Sequence, residues 1–237
     1  MAMQTSSRII PFCTVRYKSS NSSICPIIGF FIRIPIYLLR VNTNMTVLDI
    51  LAVGTLDRSE SGEILEANST STLIRSGDSL IVVDTSSKHM RPALKGSLRE
   101  LGVFAKDVDA VVITHWHDDH IENLDMFPNA EIYAWEGPAS ESNLPNLNII
   151  AEEIELCDGV SIVYTPGHTM DSISVFVEGD DRKYSIVGDA IPLEDNYRRM
   201  VPPGHNVDSE LAMKSIKTIS GFADVIVPGH GFPFMTR

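Results

Sequence analysis

The stretch that most constrains this chain runs from Thr114 to His120 and reads Thr-His-Trp-His-Asp-Asp-His. It carries three imidazoles and two carboxylates within six positions, directly after a short apolar run. Imidazole and carboxylate are the ligands that a divalent metal such as zinc prefers. Because side chains two positions apart on a strand share a face, His115 and His117 can bind one ion. Asp119 and His120 follow where the chain leaves the strand, so they could face a second ion.

Similar polar turns follow other short apolar runs. One run ends in Asp84, another leads to Asp189 and a third to His230. His168 lies in a Pro-Gly-His turn between two predicted strands. Five of the seven histidines lie in such turns, namely His115, His117, His120, His168 and His230. Open α/β folds usually carry their sites at the carboxyl ends of strands, so we expect these side chains to converge at one edge of a sheet.

Composition limits the class of partner. A chain with 43% hydrophobic and 21% charged residues is typical of soluble globular proteins. Its net charge of −12 disfavours a broad nucleic-acid-binding surface, which needs clustered lysine and arginine. It does not disfavour a few phosphates at a metal centre. The three cysteines form no closely spaced framework, so we predict no disulfide scaffold and a reducing, cytoplasmic compartment.

Residues 1–44 differ from the rest because they contain basic residues but no acidic one. Their apolar run, residues 24–39, includes Arg33 and two prolines, which makes it too short and too interrupted to span a bilayer. No small-residue cleavage site follows it. We therefore expect residues 1–44 to be an N-terminal extension outside the fold, and residues 45–237 to form one domain. An export or anchor segment and a disordered tail are the alternatives for residues 1–44.

Apolar periodicity and turn residues predict the secondary structure after Met45. Strands are predicted at residues 47–53, 72–74, 80–83, 108–113, 131–135, 160–164, 173–177, 184–187 and 225–227, the last strand of the chain. Helices are predicted at residues 92–101, 121–127 and 208–220, the third capped by Asp208. Residues 55–71 are predicted to form a loop or loose hairpin, and residues 137–148 a loop. This irregular alternation without a fixed repeat favours an α/β sandwich over a solenoid.

The chain resembles the metallo-β-lactamase fold superfamily. Five separated motifs occur in that family's order: Asp84, His115-x-His117-x-Asp119-His120, His168, Asp189 and His230. The resemblance implies a four-layer αββα sandwich with metals at one edge, between two sheets. It also implies two zinc ions, the first held by His115, His117 and His168 and the second by Asp119, His120 and His230. In the family pattern Asp189 would bridge both ions, and Asp84 would accept a hydrogen bond from a ligand imidazole.

Asp189 also bears on the branch of the family. Many true β-lactamases of this fold have a cysteine or no ligand at that position. An aspartate there is more similar to the glyoxalase II, lactonase and RNA-processing branches. The compact size and the ending Pro-Gly-His-Gly-Phe-Pro-Phe are most similar to the small group called metallo-β-lactamase domain-containing protein 1. That similarity adds RNA to the candidate substrates.

The first functional hypothesis is a dinuclear zinc hydrolase. A hydroxide shared by the two ions would attack an ester, amide, thioester or phosphodiester bond, with β-lactam and RNA among the substrates. Asp119 would orient this nucleophile and Asp84 would support the site. The substrate would be a small molecule or a nucleic acid at the metal site. We expect no membrane partner, and the oligomeric state stays open.

The alternative is a mononuclear iron sulfur dioxygenase of the same superfamily. Those enzymes share the same motifs and bind iron through two histidines and one aspartate, so ligand type leaves iron open as a cofactor. A metal-stabilised binding module is disfavoured, because structural zinc sites are usually closed four-ligand sites. The chain is also short for the eight β/α units of an amidohydrolase barrel.

The substrate pocket is the least constrained part of the sequence. Four segments are expected to wall it: Trp116 and residues 55–71, 137–148 and 191–207. Within the last segment, Arg198 and Arg199 could bind an anionic group, and His205 could donate a proton to a leaving group. For each of these three side chains, plain solvent exposure is the preferred interpretation.

Overall fold

The computed structural model describes residues 45–237. The expected N-terminal extension, residues 1–44, lies outside the described residues, so its boundary stays a prediction. The described chain forms fourteen strands: β1 (Thr46–Ala52), β2 (Thr55–Arg58), β3 (Ile64–Asn68), β4 (Ser71–Ser76), β5 (Ser79–Val83), β6 (Ala110–Val112), β7 (Glu131–Trp135), β8 (Leu147–Ile150), β9 (Ile154–Cys157), β10 (Val160–Tyr164), β11 (Ile173–Glu178), β12 (Lys183–Ile186), β13 (Val225–Val227) and β14 (Phe234–Met235). It also forms four α-helices: α1 (Arg91–Glu100), α2 (Asp118–Ile121), α3 (Glu194–Arg199) and α4 (Ser209–Phe222).

The strands form two six-stranded sheets and a separate hairpin. The first sheet has the order β1-β4-β5-β6-β7-β8 and the second β14-β13-β12-β11-β10-β9. Strands β2 and β3 pair only with each other and form the hairpin expected within residues 55–71. Strands β5, β6, β7 and β8 run parallel, as do β12 and β13, so the turns that follow them emerge at the same edge of their sheet.

Alternation of side chains along the strands builds three apolar layers. On β4, Leu73 points to the cluster that contains α1, whereas its neighbour Ile74 points to the cluster between the sheets. On β11, Val175 joins the layer between the sheets and Phe176 joins the layer beneath α4. Successive strand residues face opposite sides, so a strand covered on both faces is apolar at every position. The order of helix, sheet, sheet and helix confirms the predicted four-layer αββα sandwich.

The two long helices follow their sequence signals. Pro92 lies in the first turn of α1, where its missing N–H has no acceptor to lose. Asp208 caps α4, since one carboxylate oxygen accepts from the backbone nitrogens of Glu210 and Leu211, each at 2.9 Å. No helix between Met45 and Arg237 combines the length and the apolar character that a membrane span needs.

The structure differs from the predicted secondary structure at several short elements. The predicted loop 137–148 ends in the start of β8, and β9 and α3 were not predicted. Strand β13 is not the last, because β14 pairs with it. These elements have two to six residues, which is too short for periodicity to develop.

The predicted helix 121–127 was wrong in its limits. Helix α2 begins earlier, with the carboxylates of Asp118 and Asp119 in its first turn, where the helix dipole favours negative charge. It ends before Asn123, and a 3₁₀ turn covers Leu124–Met126. The side chain of Asn123 makes tertiary contacts instead of continuing a helical face.

Asn123 supports a strained loop after β5. Backbone φ is +56° at Asp84 and +57° at Ser86, a region that is costly for residues other than glycine. Asn123 is fully buried, and its amide nitrogen lies 2.9, 3.1 and 2.8 Å from the carbonyl oxygens of Thr85, Ser86 and Ser87. This amide therefore binds three carbonyls that the strained backbone turns inward.

Substitution Asn123→Ala is expected to lower the free energy of unfolding by about 2 kcal/mol, because buried carbonyls lose their donor. Urea denaturation followed by circular dichroism measures the change. Asn129→Ala is the matched control, since the exposed Asn129 amide also donates to a carbonyl, that of Lys106 at 2.8 Å. The control should change stability by no more than about 0.5 kcal/mol. Equal effects of the two substitutions would contradict the role given to Asn123.

Candidate metal centre

Asp84 holds the first histidine-bearing loop in position. Its carboxylate is buried, and Oδ1 accepts the backbone N–H of Thr114 at 2.8 Å. Oδ2 accepts from the Thr114 hydroxyl at 2.8 Å and from Nδ1 of His120 at 2.8 Å. Because a carboxylate only accepts, Nδ1 of His120 carries a proton, and Nε2 is the ring nitrogen that faces the centre.

Two further histidines are oriented by backbone carbonyls. Nδ1 of His168 lies 2.7 Å from the carbonyl oxygen of His205, and Nδ1 of His230 lies 2.8 Å from that of Asn68. A carbonyl also only accepts, so each Nδ1 is a donor and each Nε2 is free to bind an ion. The ring nitrogen that does not face the centre therefore has a hydrogen-bond partner in His120, His168 and His230, as is usual for histidines that bind metal.

The first candidate group contains His115, His117 and His168. Nε2 of His115 lies 2.9 Å from Nδ1 of His117, and Nε2 of His168 lies 3.3 Å from the same nitrogen. All three ligand atoms lie within 4.8 Å of one another. A tetrahedral ion with metal–nitrogen distances of about 2.0–2.1 Å separates its nitrogen ligands by about 3.3 Å, so this group fits one zinc ion.

The second candidate group contains Asp119, His120 and His230. Oδ2 of Asp119 lies 3.7 Å from Nε2 of His120 and 3.8 Å from Nε2 of His230. These ligand atoms also lie within 4.8 Å of one another. His120 and His230 are buried, whereas Asp119 is partly exposed, so the group opens towards solvent on the aspartate side.

Asp189 faces both groups with different oxygens. Its Oδ2 lies 3.6 Å from Nε2 of His168, in the first group. Its Oδ1 lies 3.7 Å from Nε2 of His120 and 3.2 Å from Nε2 of His230, in the second group. Among the described residues, neither Asp189 Oδ1 nor His120 Nε2 has a partner with hydrogen-bond geometry, although both are buried. Buried polar atoms are rarely left unpaired, so the residues present fit bound metal.

The electrostatics of the site favour cation binding. Burial lowers the pKa of His115 well below its usual value, so its imidazole is neutral and able to bind metal. Burial alone would raise the pKa of Asp189, but the His230 imidazole, whose Nε2 lies 3.2 Å from Oδ1, holds that pKa well below the usual range. Burial opposes the charged form of His120, yet the adjacent Asp84 carboxylate raises its pKa to about 9, so metal binding at Nε2 would release a proton. The Asp189 carboxylate is ionised.

Some supporting residues were not found from the sequence. Asp171 is buried, and its Oδ2 accepts the backbone N–H of Trp116 at 2.9 Å, which holds the turn between His115 and His117. Asn68 and His205 contribute backbone carbonyls. Every residue has a backbone carbonyl, so the sequence does not show which carbonyls support the site. Asp171, in contrast, lies three residues after His168, and that position could have indicated its role.

A cavity of about 410 Å³ opens above the two groups. Five candidate ligands line its floor: His117, Asp119, His168, Asp189 and His230. Its walls come from two of the four expected segments, the hairpin within residues 55–71 and residues 192–207. The other two expectations were wrong, because Trp116 packs against the apolar cluster under α1 and residues 137–148 do not line the cavity.

The three side chains expected to meet substrate have different positions. His205 lines the cavity. Arg198 does not, because its guanidinium lies 2.9 Å from the Glu194 carboxylate and donates to the carbonyl of Met235 at 2.7 Å. Arg199 is exposed and also lies outside the cavity lining. The structure therefore does not support an anion site at Arg198 and Arg199.

Comparison with known proteins adds independent information. A family model described as the metallo-beta-lactamase superfamily matches residues 65–230. A protein of Methanocaldococcus jannaschii named probable metallo-hydrolase is 37% identical over 197 residues, which cover 82% of this chain and 91% of that protein. Metallo-beta-lactamase domain-containing protein 1 of Xenopus laevis is 34% identical over 182 residues, 73% of this chain and 75% of that protein.

A solved structure with a similar fold is that of a quorum-quenching N-acyl homoserine lactone lactonase. It superposes with a TM-score of 0.65 at 22% sequence identity, over 79% of this chain and 92% of that chain. The stretch matched by the family model contains Asp84 and all seven candidate ligands. The matched region and the candidate centre therefore coincide.

Substitution Gly229→Ala is expected to displace the Asp189 carboxylate, because a Cβ at Gly229 would overlap Asp189 Oδ1. We expect zinc affinity to fall by at least about tenfold with the circular dichroism spectrum unchanged. Calorimetric titration of zinc into metal-free protein measures the loss.

Gly221→Ala is the matched control. A Cβ at Gly221, within α4, meets no atom within 4 Å, so zinc affinity should stay unchanged. Helix propensity predicts a gain in stability of about 0.5–1 kcal/mol for this variant. Unaltered zinc affinity in Gly229→Ala would show that Asp189 does not bind the metal.

Proposed function

This chain belongs to the metallo-beta-lactamase superfamily, and we propose that it is a hydrolase that uses two zinc ions. Its similarity to a probable metallo-hydrolase, over 91% of that protein, supports metal-dependent hydrolysis. The proposed first ion is held by His115, His117 and His168, and the second by Asp119, His120 and His230. Asp189 is the proposed bridge between them.

The position of Asp189 is the observation that carries this proposal. One of its oxygens faces a nitrogen of the first group and the other faces two nitrogens of the second. A site for one ion would need only one of these oxygens. Six further ligands divide into two sets of three, so each ion would have three ligands of its own and share Asp189 with the other.

When bound, the two ions would polarise the substrate's carbonyl or phosphoryl oxygen and lower the pKa of a shared water to about 7. The chain's own contribution is to orient that water and to hold its proton. Asp119 lines the cavity, and its Oδ2 faces the two histidines of its group. We assign the other oxygen, Oδ1, to hold the water and accept its proton.

Asp84 would act through His120 rather than on the substrate. It is buried and does not line the cavity, and its carboxylate fixes the His120 ring through Nδ1. We expect Asp84→Asn to weaken zinc binding by about 10–100-fold, as loss of such a partner typically does. In excess zinc, the kcat of the Asp84→Asn variant should return to that of the unsubstituted protein. A low kcat at full zinc occupancy would instead indicate contact with the reacting groups.

A second candidate is a mononuclear iron dioxygenase. One observation favours it, since His115, His120 and Asp189 also form a compact group of two histidines and one carboxylate. This ligand set is the one that non-haem iron oxygenases use. The remaining four candidate ligands would then have no role, which is why we prefer two zinc ions.

A panel of hydrolysable substrates tests the proposed function. Zinc-loaded protein is assayed with a lactam, a lactone, a thioester, a phosphodiester and RNA. We expect hydrolysis of at least one class, complete loss on chelation and recovery with zinc. If no class is cleaved and iron-loaded protein consumes oxygen with glutathione persulfide, the dioxygenase is correct and the hydrolase proposal fails.

A further inference from the structure

The β2–β3 hairpin presents one face to the cavity. Leu56 and Arg58 are two positions apart on β2, so they share a face. Leu56 pairs with Ala67 and Arg58 pairs with Ile64, with a shift of register between Asp57 and Arg58. This irregularity brings Ile64 and Ala67, which are three positions apart, to the same side. The face therefore consists of three apolar side chains and one cation.

The opposite wall is also largely apolar. Pro192, Pro203 and Val207 line it, together with the polar residues His205 and Asn206. The other polar and charged groups that line the cavity are Thr169 and five candidate metal ligands. A substrate that extends from these ligands to Arg58 therefore meets the apolar side chains of the hairpin face.

Arg58 is the only lysine or arginine among the described residues that line the cavity. Its guanidinium donates to the carbonyl of Gly62 at 3.0 Å, and it forms no ion pair within residues 45–237. A guanidinium has five N–H donors, so most remain available. By contrast, Arg198 has its carboxylate partner in Glu194.

Resting on the hydrolase function proposed above, we propose that Arg58 binds a carboxylate at the far end of the substrate. The substrate class is then a small molecule with a scissile bond at the metal floor, an apolar middle and a terminal carboxylate. A guanidinium fits the two oxygens of a carboxylate through parallel N–H bonds. Arg58 is a single cation near the acidic residues Glu60 and Glu63, and the chain has a net charge of −12. This setting suits a monoanion better than a polyanion such as RNA.

Paired acids of equal length test this assignment. Octanoate and octanedioate, with the corresponding six- and ten-carbon pairs, are titrated into the zinc-loaded protein by calorimetry. One carboxylate can occupy the metal floor, and only the diacids can also reach Arg58. For the best-fitting length, Arg58→Gln should weaken diacid binding about fivefold, as expected for an exposed ion pair, and leave monoacid binding unchanged. Arg58→Lys should recover part of the loss, and added salt should reduce the difference.

Arg99→Gln is the matched control. Arg99 lies on α1, outside the cavity lining, and its substitution changes the net charge equally. It should leave diacid binding unaltered. Equal weakening by Arg99→Gln, or no weakening by Arg58→Gln at any length, overturns the assignment. If the protein still cleaves a panel substrate, only the role of Arg58 fails; if it cleaves none, the proposed function itself fails.

Discussion

The buried carboxylate of Asp84 is the interaction on which the candidate site depends. It follows β5, yet its three hydrogen bonds bind the backbone and hydroxyl of Thr114, which follows β6, and the ring of His120 in α2. A buried charge is costly unless donors surround it, so this carboxylate has one favourable arrangement. That arrangement determines the path of the loop that carries His115 and His117 and the orientation of His120. The loop that carries Asp84 itself has two residues at positive φ, Asp84 and Ser86, and the Asn123 amide binds the carbonyl oxygens of this loop.

The β2–β3 hairpin, which forms one wall of the cavity, is joined at its base to the loops that carry the candidate ligands. The backbone nitrogen of Ser69 donates to the carbonyl of Asp119 at 3.2 Å, and that of Thr70 donates to Gly229 at 2.7 Å. The carbonyl of Asn68 accepts from His230 at 2.8 Å. The hairpin is thus anchored to the second candidate group at its base, while its tip is exposed. An anchored base and an exposed tip allow the hairpin to position Arg58 and its apolar neighbours without disturbing the ligands.

Much of the architecture could be predicted from sequence because it rests on local signals. The four-layer sandwich is confirmed, and the seven candidate ligands converge as two groups around Asp189, although their role as ligands stays a prediction. The two long helices carried a proline or a capping aspartate that marked their start. The short elements β8, β9, β14 and α3 carried no such signal. Their existence depends on neighbours supplied by the folded chain, which propensity does not contain.

The residues that line the cavity were even harder to predict from the sequence than the short elements. Arg198 and Arg199 were candidates for an anion because of their position in the chain, but Arg198 pairs with Glu194 one helical turn away. Arg58 had no local signal, and only the pairing of β2 with β3 brings it to the cavity. The roles of Asn68 and His205 could not be predicted either, because both act through their backbone carbonyls.

The number of metal ions bound per chain is the sharpest test of the proposed two-metal site. Metal-free protein is equilibrated with excess zinc, freed of unbound zinc and measured by inductively coupled plasma mass spectrometry. We expect two zinc ions per chain, because Asp189 faces two separate groups of ligands. A value that saturates at one ion or fewer would contradict it, and the second group would then have no metal to hold.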